Sequence, residues 1–496
     1  MLRYNDIQDY KYYYPHHVTF YSLYMQFIVP VIFSLITIYL GTGFFIYPLI
    51  IGFSLYCLGK GDRFLPLALF FILLYLLPYS LTEVVLGHNW GSYLDNNFLA
   101  GIPLYITLPL YFNRSSLLNK KLRIILTIFL IAFLVSTIIP GFLSFLGLGG
   151  YNVRFAWTLN YFNSFLAAVF AYSVFNSSIN IDRFTNLIIF LGFFSAICGL
   201  LQYIFGPIFV NPDDVLENRL IIIPRTNAIA LFPYFIVPFA FALNQMNSCD
   251  RRKKVFARIT VFTLLLSSIL TWSRWGIFVL LIMALIHIII SKKSLKLIIS
   301  LSVVTFAILL IIQWIYYSTI IPVDQAKRIS DITSLLTRIT LWGMGLSLLS
   351  DVWLFGIGIG NTAKILFSYN PHEMLSDFYQ IGFDAKTVQS IHHFFLDWFI
   401  NQGIFAMLGL VGLYYYIIKH YRFIEKFFID EIIRGFSRSI FLGLLGLSLF
   451  WMQNSGDQYY YLFLFLGSSF AIKKLILLYH MEELYKTNLS SPKHIT

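Results

Sequence analysis

The chain has 496 residues, of which 58% are hydrophobic and 12% are charged, and its mean hydropathy is +0.75. A soluble chain of this length could not bury so much apolar surface, so the composition excludes a string of soluble domains and predicts a membrane protein. The formal net charge of +12 comes from short basic clusters between apolar runs, a pattern typical of membrane topology rather than of nucleic-acid binding.

Fourteen apolar runs are candidates for transmembrane helices, since a span needs about 20 predominantly apolar residues. The runs are continuous rather than alternating, which favours helices over strands. We therefore predict an all-α, polytopic bundle of about 12 to 14 transmembrane helices, forming a single transmembrane domain over residues 1–496. The runs begin near Val18, Phe44, Phe64, Phe98, Ile124, Phe155, Leu187, Ala228, Ile259, Gly276, Leu297, Ile391, Ile440 and Gln458.

The distribution of Lys and Arg predicts the orientation of these spans. If the N-terminus is cytoplasmic and the spans alternate, the cytoplasmic side holds 26 of the 35 basic residues. The other 9, on the exterior side, are Arg154, Arg219, Arg225, Arg274, Lys327, Arg328, Arg338, Lys364 and Lys386. These exterior charges are the unusual ones, because the topology gives no reason for them.

Residues 318–390 form the one large exterior loop, predicted to be periplasmic, and contain no apolar run of span length. Loops this long tend to be functional or disordered, and this one is too aromatic for disorder. The apolar spacing of Leu335–Leu349 predicts a helix on or in the membrane surface. The stretch Gly356-Ile-Gly-Ile-Gly360 does not follow a predicted strand, so it predicts close packing or a sharp turn rather than nucleotide binding.

Exterior arginines are the first candidates for chemistry. Arg274 occupies the turn of a predicted helical hairpin, where it could clamp an anion, because a guanidinium stays charged and forms bidentate bonds to phosphate oxygens. It could equally be an interfacial arginine that reaches lipid headgroups. Arg219 and Arg225, which flank a short apolar stretch, have the same two interpretations, and Arg338 could face the same site or only solvent.

Two histidines, His392 and His393, open the twelfth apolar run. A neutral imidazole at the mouth of a membrane helix can take a proton from a hydroxyl near neutral pH. His393 precedes Asp397 by one helical turn, so the two side chains could form an orienting pair. Alternatively, both histidines are interfacial residues hydrogen-bonded to backbone. The exterior carboxylates are scattered without metal-ligand spacing, so no metal site is predicted.

With these residues in place, the sequence resembles the bacterial O-antigen ligase and O-antigen polymerase family over residues 210–420. The family has a Ser-Arg pair, an arginine stretch ending in Pro-Asn, an Arg before Leu-Trp and a glycine-rich turn, and a histidine followed by Leu and Gly. The matching positions here are Ser273-Arg274, Arg219 to Asn227, Arg338 with Leu341-Trp342 and Gly356 to Asn361, and His392 with Leu396 and Gly403. Three positions depart from the pattern, with Thr226 in place of Pro, His393 in place of Asn, Ser or Gln, and Ala406 in place of Gly, Thr or Tyr.

The resemblance implies a helical fold of the GT-C glycosyltransferase type, in a multi-pass protein of the bacterial inner membrane whose active site faces the periplasm. It implies an inverting glycosyltransferase that needs neither metal nor cofactor. The donor would be a glycan on undecaprenyl diphosphate, and the acceptor would be a sugar hydroxyl on a glycan or on the lipid A-core. Membrane lipids, a chain-length regulator and a flippase are further implied partners, and nucleic acid is not.

The resemblance also implies a role for each matched residue. His392 would activate or orient the acceptor hydroxyl, and Arg274, with Arg219 or Arg225, would bind the diphosphate in place of a cation. Arg338 would stabilise the loop or contact the donor phosphate. The pair formed by His393 and Asp397 would orient the catalytic histidine.

Several functions remain open on the sequence. We favour a repeat-unit polymerase of surface polysaccharide, either O-antigen or capsule, because polymerases are the more divergent group. The second reading is a ligase that moves the finished glycan to the lipid A-core. A protein O-oligosaccharyltransferase and a transporter or flippase of lipid-linked sugars are weaker alternatives, and a structural scaffold explains neither the exterior arginines nor His392.

Overall fold

The structure is a computed structural model that describes residues 46–76, 96–112, 119–145, 155–206, 220, 222, 231–271, 273–291, 333–358, 361–362, 391–427, 430–453 and 459–490. Chain contacts divide the protein into two units, residues 1–49 and 50–496. Helices make up most of the described residues, and we number fourteen of them there. They are α1 Ile46–Lys60, α2 Phe64–Leu76, α3 Asn96–Thr107, α4 Pro109–Phe112, α5 Lys120–Phe145, α6 Phe155–Val174, α7 Ser178–Phe205, α8 Phe232–Gln245, α9 Arg251–Leu270, α10 Arg274–Ile290, α11 Thr333–Val352, α12 Phe394–Phe427, α13 Glu431–Trp451 and α14 Tyr459–Ser490.

The predicted spans coincide with helices wherever they can be compared. The runs that begin near Val18 and Leu297 lie outside the described residues, and each of the others overlaps one of the helices above. Five helices of the described part are long and apolar enough to cross a membrane, and they are Lys120–Ile138, Ser178–Phe205, Phe394–Lys426, Glu431–Trp451 and Tyr459–Met481. The protein is therefore an all-helical, multi-pass membrane protein, as the composition predicted.

Contacts between helix ends follow the predicted alternation of the spans. At the predicted cytoplasmic ends, Lys253 Nζ lies 2.6 Å from Asp182 Oδ1. At the predicted exterior ends, the backbone N–H of Leu220 donates to the carbonyl of Leu270 at 3.2 Å. Each contact joins residues that the basic-residue distribution assigns to the same side.

The helix α12 lies at the centre of the packing that positions the candidate site. It contacts α5, α11, α13 and α14, while α8 packs along α13 and α6 packs along α14. Every residue of α8 is buried, which is the behaviour expected of a helix that is apolar on all sides. At the start of α12, the Phe394 ring stacks on Trp451 of α13, with ring centroids 4.6 Å apart. The first turn of α12 is thereby fixed against the end of α13.

Candidate active site

Arg274 is the first residue of α10, and Ser273 caps that helix. The hydroxyl of Ser273 accepts a hydrogen bond from the backbone N–H of Gly276 at 3.4 Å. Gly276 is required by packing, because a Cβ there would lie 2.1 Å from the Phe232 ring of α8. A helix N-terminus favours anions and disfavours cations. An exposed guanidinium at this position is therefore well placed to bind an anion together with the helix end.

Two contacts hold the turn between α9 and α10 in place. The indole Nε1 of Trp275 donates to the carbonyl of Leu449 in α13 at 2.9 Å. Leu220, bonded to Leu270, brings the described part of the stretch between Arg219 and Arg225 to the same turn. The side chains of Arg219 and Arg225 themselves lie outside the described residues, so their roles in diphosphate binding stay predictions.

Arg338 lies on α11 and is partly buried. Its Nη1 donates a hydrogen bond to Oε1 of Gln453, just beyond the end of α13, at 3.0 Å. Burial and the positive charge of Arg274 both lower the pKa of Arg338. The two guanidinium groups are therefore close enough to repel each other, and an anionic ligand would relieve that repulsion.

His392 has an unusual backbone conformation. Its φ of 54° lies in the left-handed region, and among the described residues it is the one non-glycine residue with a positive φ. His is more common there than bulky residues are, but the conformation still costs about 1–3 kcal/mol and is typical of functional sites. Ile391 and Phe394 on either side are buried and fix the turn.

The imidazole of His392 is neutral at physiological pH. Burial, followed by the positive charge of Arg338, lowers the pKa of His392 to about 4. Arg338 thus links the other two groups electrostatically, because Arg274 acts on Arg338 and Arg338 acts on His392. The structure brings these three predicted site residues together from α10, from α11 and from the turn before α12.

An apolar cluster joins α11 to the start of α12 and so holds Arg338 near His392. The predicted helix over 335–349 is confirmed as part of the longer α11. The buried face of α11 packs against residues on either side of His392 and His393. The buried members are Leu341, Met344, Leu348, Ile357, Ile391, Leu396 and Ile400.

The glycine-rich stretch fills a break in α12. At Gly403 the backbone leaves the helical conformation, with φ 70° and ψ −165°. The carbonyl of Ile400 then accepts from the N–H of Ile357, and that of Asn401 accepts from Gly358, each at 2.9 Å. Backbone groups that a regular helix would pair internally are paired here by a second segment.

This contact, which we call the glycine clasp, consists of residues 354–358 and 400–404. Gly356 and Gly403 both have positive φ, and a Cβ on Gly403 would lie 2.3 Å from the carbonyl oxygen of Leu354. A Cβ on Gly356 would lie 2.5 Å from the carbonyl of Asn401. The prediction of close packing for the glycine stretch is confirmed for its described part, and Gly360 lies outside it.

The candidate site lies in a part of the chain that matches a known protein family. The family model described as O-antigen ligase matches residues 259–411. This part of the chain is similar to the O-antigen ligase family. The match contains Arg274, Arg338, His392 and both halves of the glycine clasp, and it lies within the region 210–420 on which the resemblance rested. Comparison with curated proteins finds no match. The family match supports an enzyme of polysaccharide biosynthesis.

The structure accounts for one of the departures from the family pattern, the histidine at position 393. His393 is the residue before α12, and its Nδ1 accepts a hydrogen bond from the backbone N–H of Leu396 at 3.2 Å. This is the N-cap interaction that Asn or Ser would make, so His393 preserves the acceptor that the helix start requires.

An aromatic contact also connects His393 to α11. Its ring centroid lies 5.3 Å from that of Trp342, in an edge-to-face arrangement. Asp397 is buried one turn into α12, and its backbone N–H donates to the carbonyl of His393 at 2.8 Å. An orienting role for the His393 and Asp397 side chains toward His392 stays a prediction.

The sequence motifs did not identify Gln453. No motif marks it, and it is separated from Arg338 by 115 positions. The one available signal was a polar residue at the predicted exterior end of an apolar run. Among the residues that the structure describes, no group of three His, Cys, Asp or Glu side chains could hold a metal ion.

Proposed function

We propose that the protein is a member of the O-antigen ligase family and transfers a glycan from undecaprenyl diphosphate to a sugar hydroxyl, as the repeat-unit polymerase of a surface polysaccharide. The reaction would take place at the periplasmic face of a bacterial inner membrane. The observation that carries the proposal is the convergence of Arg274, Arg338 and His392 at one end of the helices. This set pairs two cations for a leaving diphosphate with one neutral base for an acceptor.

The diphosphate would bind between the two arginines. Arg274 adds the N-terminus of α10 to its own charge, and Arg338 is held in place by Gln453. Guanidinium groups can bond two phosphate oxygens at once, and fixed positive charges stabilise the negative charge that develops on the leaving group. The arginines would thus serve the purpose of a divalent cation.

The imidazole of His392 would accept the proton of the acceptor hydroxyl. The hydroxyl oxygen forms the new bond to the anomeric carbon, while the bond from that carbon to the diphosphate oxygen breaks with inversion. The electron pair of the broken bond stays on the diphosphate, beside Arg274 and Arg338. The bound diphosphate would also raise the pKa of His392 above its value in the free enzyme, because it offsets the charge of Arg338.

A ligase that attaches the glycan to the lipid A-core is the second candidate. The description of the matching family names that activity. The divergence at His393 and Thr226 from the family pattern favours the polymerase. The two candidates share the donor and the catalytic step, so they differ only in which acceptor supports turnover.

The test uses purified protein in lipid nanodiscs with undecaprenyl-diphosphate-linked glycan. Three acceptors are supplied separately, namely a second lipid-linked repeat unit, lipid A-core and an acceptor protein, and products are identified by mass spectrometry. A polymerase gives ladders of repeat units with the first acceptor alone. Product on lipid A-core alone would establish the ligase, and movement of intact donor across a vesicle without any product would support a flippase.

Metal independence is tested in the same assay. We expect the rate to stay unchanged in EDTA, because arginines would neutralise the diphosphate. Loss of turnover in EDTA with recovery on adding Mg²⁺ or Mn²⁺ would contradict this part of the proposal.

A further inference from the structure

A cluster of lysines lies at the end of α12 opposite His392. Lys121 lies in the first turn of α5, Lys419 lies near the end of α12, and Lys473 lies on α14. From the break at Gly403 to Lys419, α12 rises roughly 24 Å, at about 1.5 Å per residue, and His392 lies on the other side of that break. We call these three residues the lysine cluster, and it is remote from the candidate active site.

Aromatic side chains of α12 bring the three lysines together. The ammonium of Lys121 lies 5.9 Å from the centre of the Tyr416 ring, and that of Lys473 lies 5.8 Å from the Phe423 ring. Lys419 Nζ donates to the Tyr415 hydroxyl at 3.0 Å. Lysines from three helices therefore meet on one aromatic surface, stabilised by cation–π contacts.

The floor of this surface is buried and rigid. The His420 ring packs edge-to-face on Phe470, with ring centroids 4.6 Å apart, and the Tyr416 ring lies 5.4 Å from Phe470. Nδ1 of His420 lies 3.3 Å from the hydroxyl of Ser469. These contacts lock α12 to α14 directly beneath the lysines.

In the described part of the chain, no carboxylate is among the charges that act on Lys419 or Lys473. Lys121 and Lys419 both repel Lys473, and the same three lysines act on His420. Glu425, an acid on the same stretch of α12, is already paired with Arg438 at 2.7 Å. Another basic residue predicted on this side, Lys253, has Asp182 as its partner. Like charges held together at a membrane helix end are stabilised when an anion binds between them.

We propose that the lysine cluster binds the phosphate of an anionic phospholipid headgroup. Lys121 lies at the start of the candidate span Lys120–Ile138, while Lys419 and Lys473 lie about two helical turns inside the ends of Phe394–Lys426 and Tyr459–Met481. Lysine side chains at this depth extend toward the level of the lipid phosphates, and basic pockets between membrane helices recognise such headgroups. A lipid carrying two phosphates, such as cardiolipin, matches three ammonium groups better than a singly charged lipid does.

Native mass spectrometry of the purified full chain tests the proposal, with cardiolipin and phosphatidylcholine supplied in equal amounts. The test variant is Lys121→Gln/Lys419→Gln/Lys473→Gln. The matched control is Arg251→Gln/Arg252→Gln/Lys254→Gln, which removes three positive charges from the start of α9 on the same predicted side. We expect the wild type and the control to retain cardiolipin. The affinity of the test variant for cardiolipin should be at least about tenfold lower, which corresponds to about 1.4 kcal/mol.

Equal cardiolipin retention in the test variant and the wild type would overturn the proposal, as would equal loss in the control. A Lys121→Arg/Lys419→Arg/Lys473→Arg variant keeps the charges and should retain the lipid, which separates lost charge from lost folding. Addition of inorganic phosphate should leave the thermal midpoint of the delipidated protein unchanged. A stabilisation by inorganic phosphate that depends on the three lysines would instead identify a site for a soluble anion.

Discussion

Arg338 Nη1 donates a hydrogen bond to Gln453 Oε1 at 3.0 Å, and this bond ties α11, which lies in the predicted exterior loop, to the end of α13. A hydrogen bond to a charged group is worth about 1.5–3 kcal/mol. We therefore propose that Gln453 is a positioning residue for Arg338, and that it acts on the reaction only through that guanidinium.

Replacing Gln453 tests this relationship. Gln453→Ala should lower kcat/KM by about tenfold to a hundredfold, because Arg338 loses the acceptor that orients it. Gln453→Glu should be more harmful, since a carboxylate beside Arg338 competes with the donor diphosphate and raises its KM. The measurement is steady-state glycan transfer at varied donor concentration. Equal effects of Ala and Glu on KM would contradict the positioning role.

His392 should show opposite requirements for activity and for stability. His392→Gly removes the proton acceptor and should lower turnover by about 10²–10⁴-fold. The same change relieves the left-handed backbone at φ 54°, so the free energy of unfolding should stay level or rise by about 1 kcal/mol. Glycan transfer and the thermal midpoint are measured on the same preparation.

His392→Asn is the matched control for that experiment, because Asn tolerates the left-handed region but lacks an imidazole. It should be as inactive as His392→Gly, with a thermal midpoint near that of the wild type. Full activity in either variant would remove His392 from the mechanism.

Removing the charge of Arg338 should shift the pH dependence of kcat/KM. Protonation of His392 abolishes its function as a base, and the lowered pKa of about 4 places the acidic limb of kcat/KM near that pH. The charge of Arg338 opposes this protonation, so Arg338→Gln should raise the pKa and move the limb to higher pH. Arg338→Lys keeps the charge and should leave the limb in place, while still weakening diphosphate binding. An acidic limb that is identical in the Gln and Lys variants would contradict the electrostatic link.

The glycine clasp predicts a contrast between two glycines of the same region. Gly356→Ala should destabilise the protein by about 2 kcal/mol or more, because the residue has positive φ and a Cβ would meet the Asn401 carbonyl at 2.5 Å. Gly343→Ala is the control, since it lies within α11 with open space around the added methyl group. That change should stabilise by up to about 1 kcal/mol. Thermal midpoints in detergent would rank the variants, and a neutral Gly356→Ala would disprove the clasp.

The sequence was a good guide to features that depend on local pattern. Hydropathy identified the helices because a membrane span needs a continuous apolar run, and the apolar spacing at 335–349 identified α11. The short motifs selected Arg274 and His392, which the structure then places in one electrostatic group with Arg338.

Features that depend on pairing between distant segments could not be predicted in the same way. Nothing near Gln453 indicates that it bonds to Arg338, because the contact depends on how α11 packs against α13. The cap role of His393 was hidden for a different reason, since His is an uncommon choice at a position where Asn or Ser is usual. The lysine cluster likewise depends on the packing of three helices, so no local pattern could predict it.

The interrupted helix α12 has a consequence for how the protein is made. Inside a bilayer every backbone polar group needs a partner, so a helix with the break at Gly403 cannot integrate stably by itself. Its partner residues, 354–358, are translated first and are already present when residues 400–404 leave the ribosome. Synthesis order and insertion order therefore agree, and a nascent chain that stops before Ile400 would leave Ile357 and Gly358 without their acceptors.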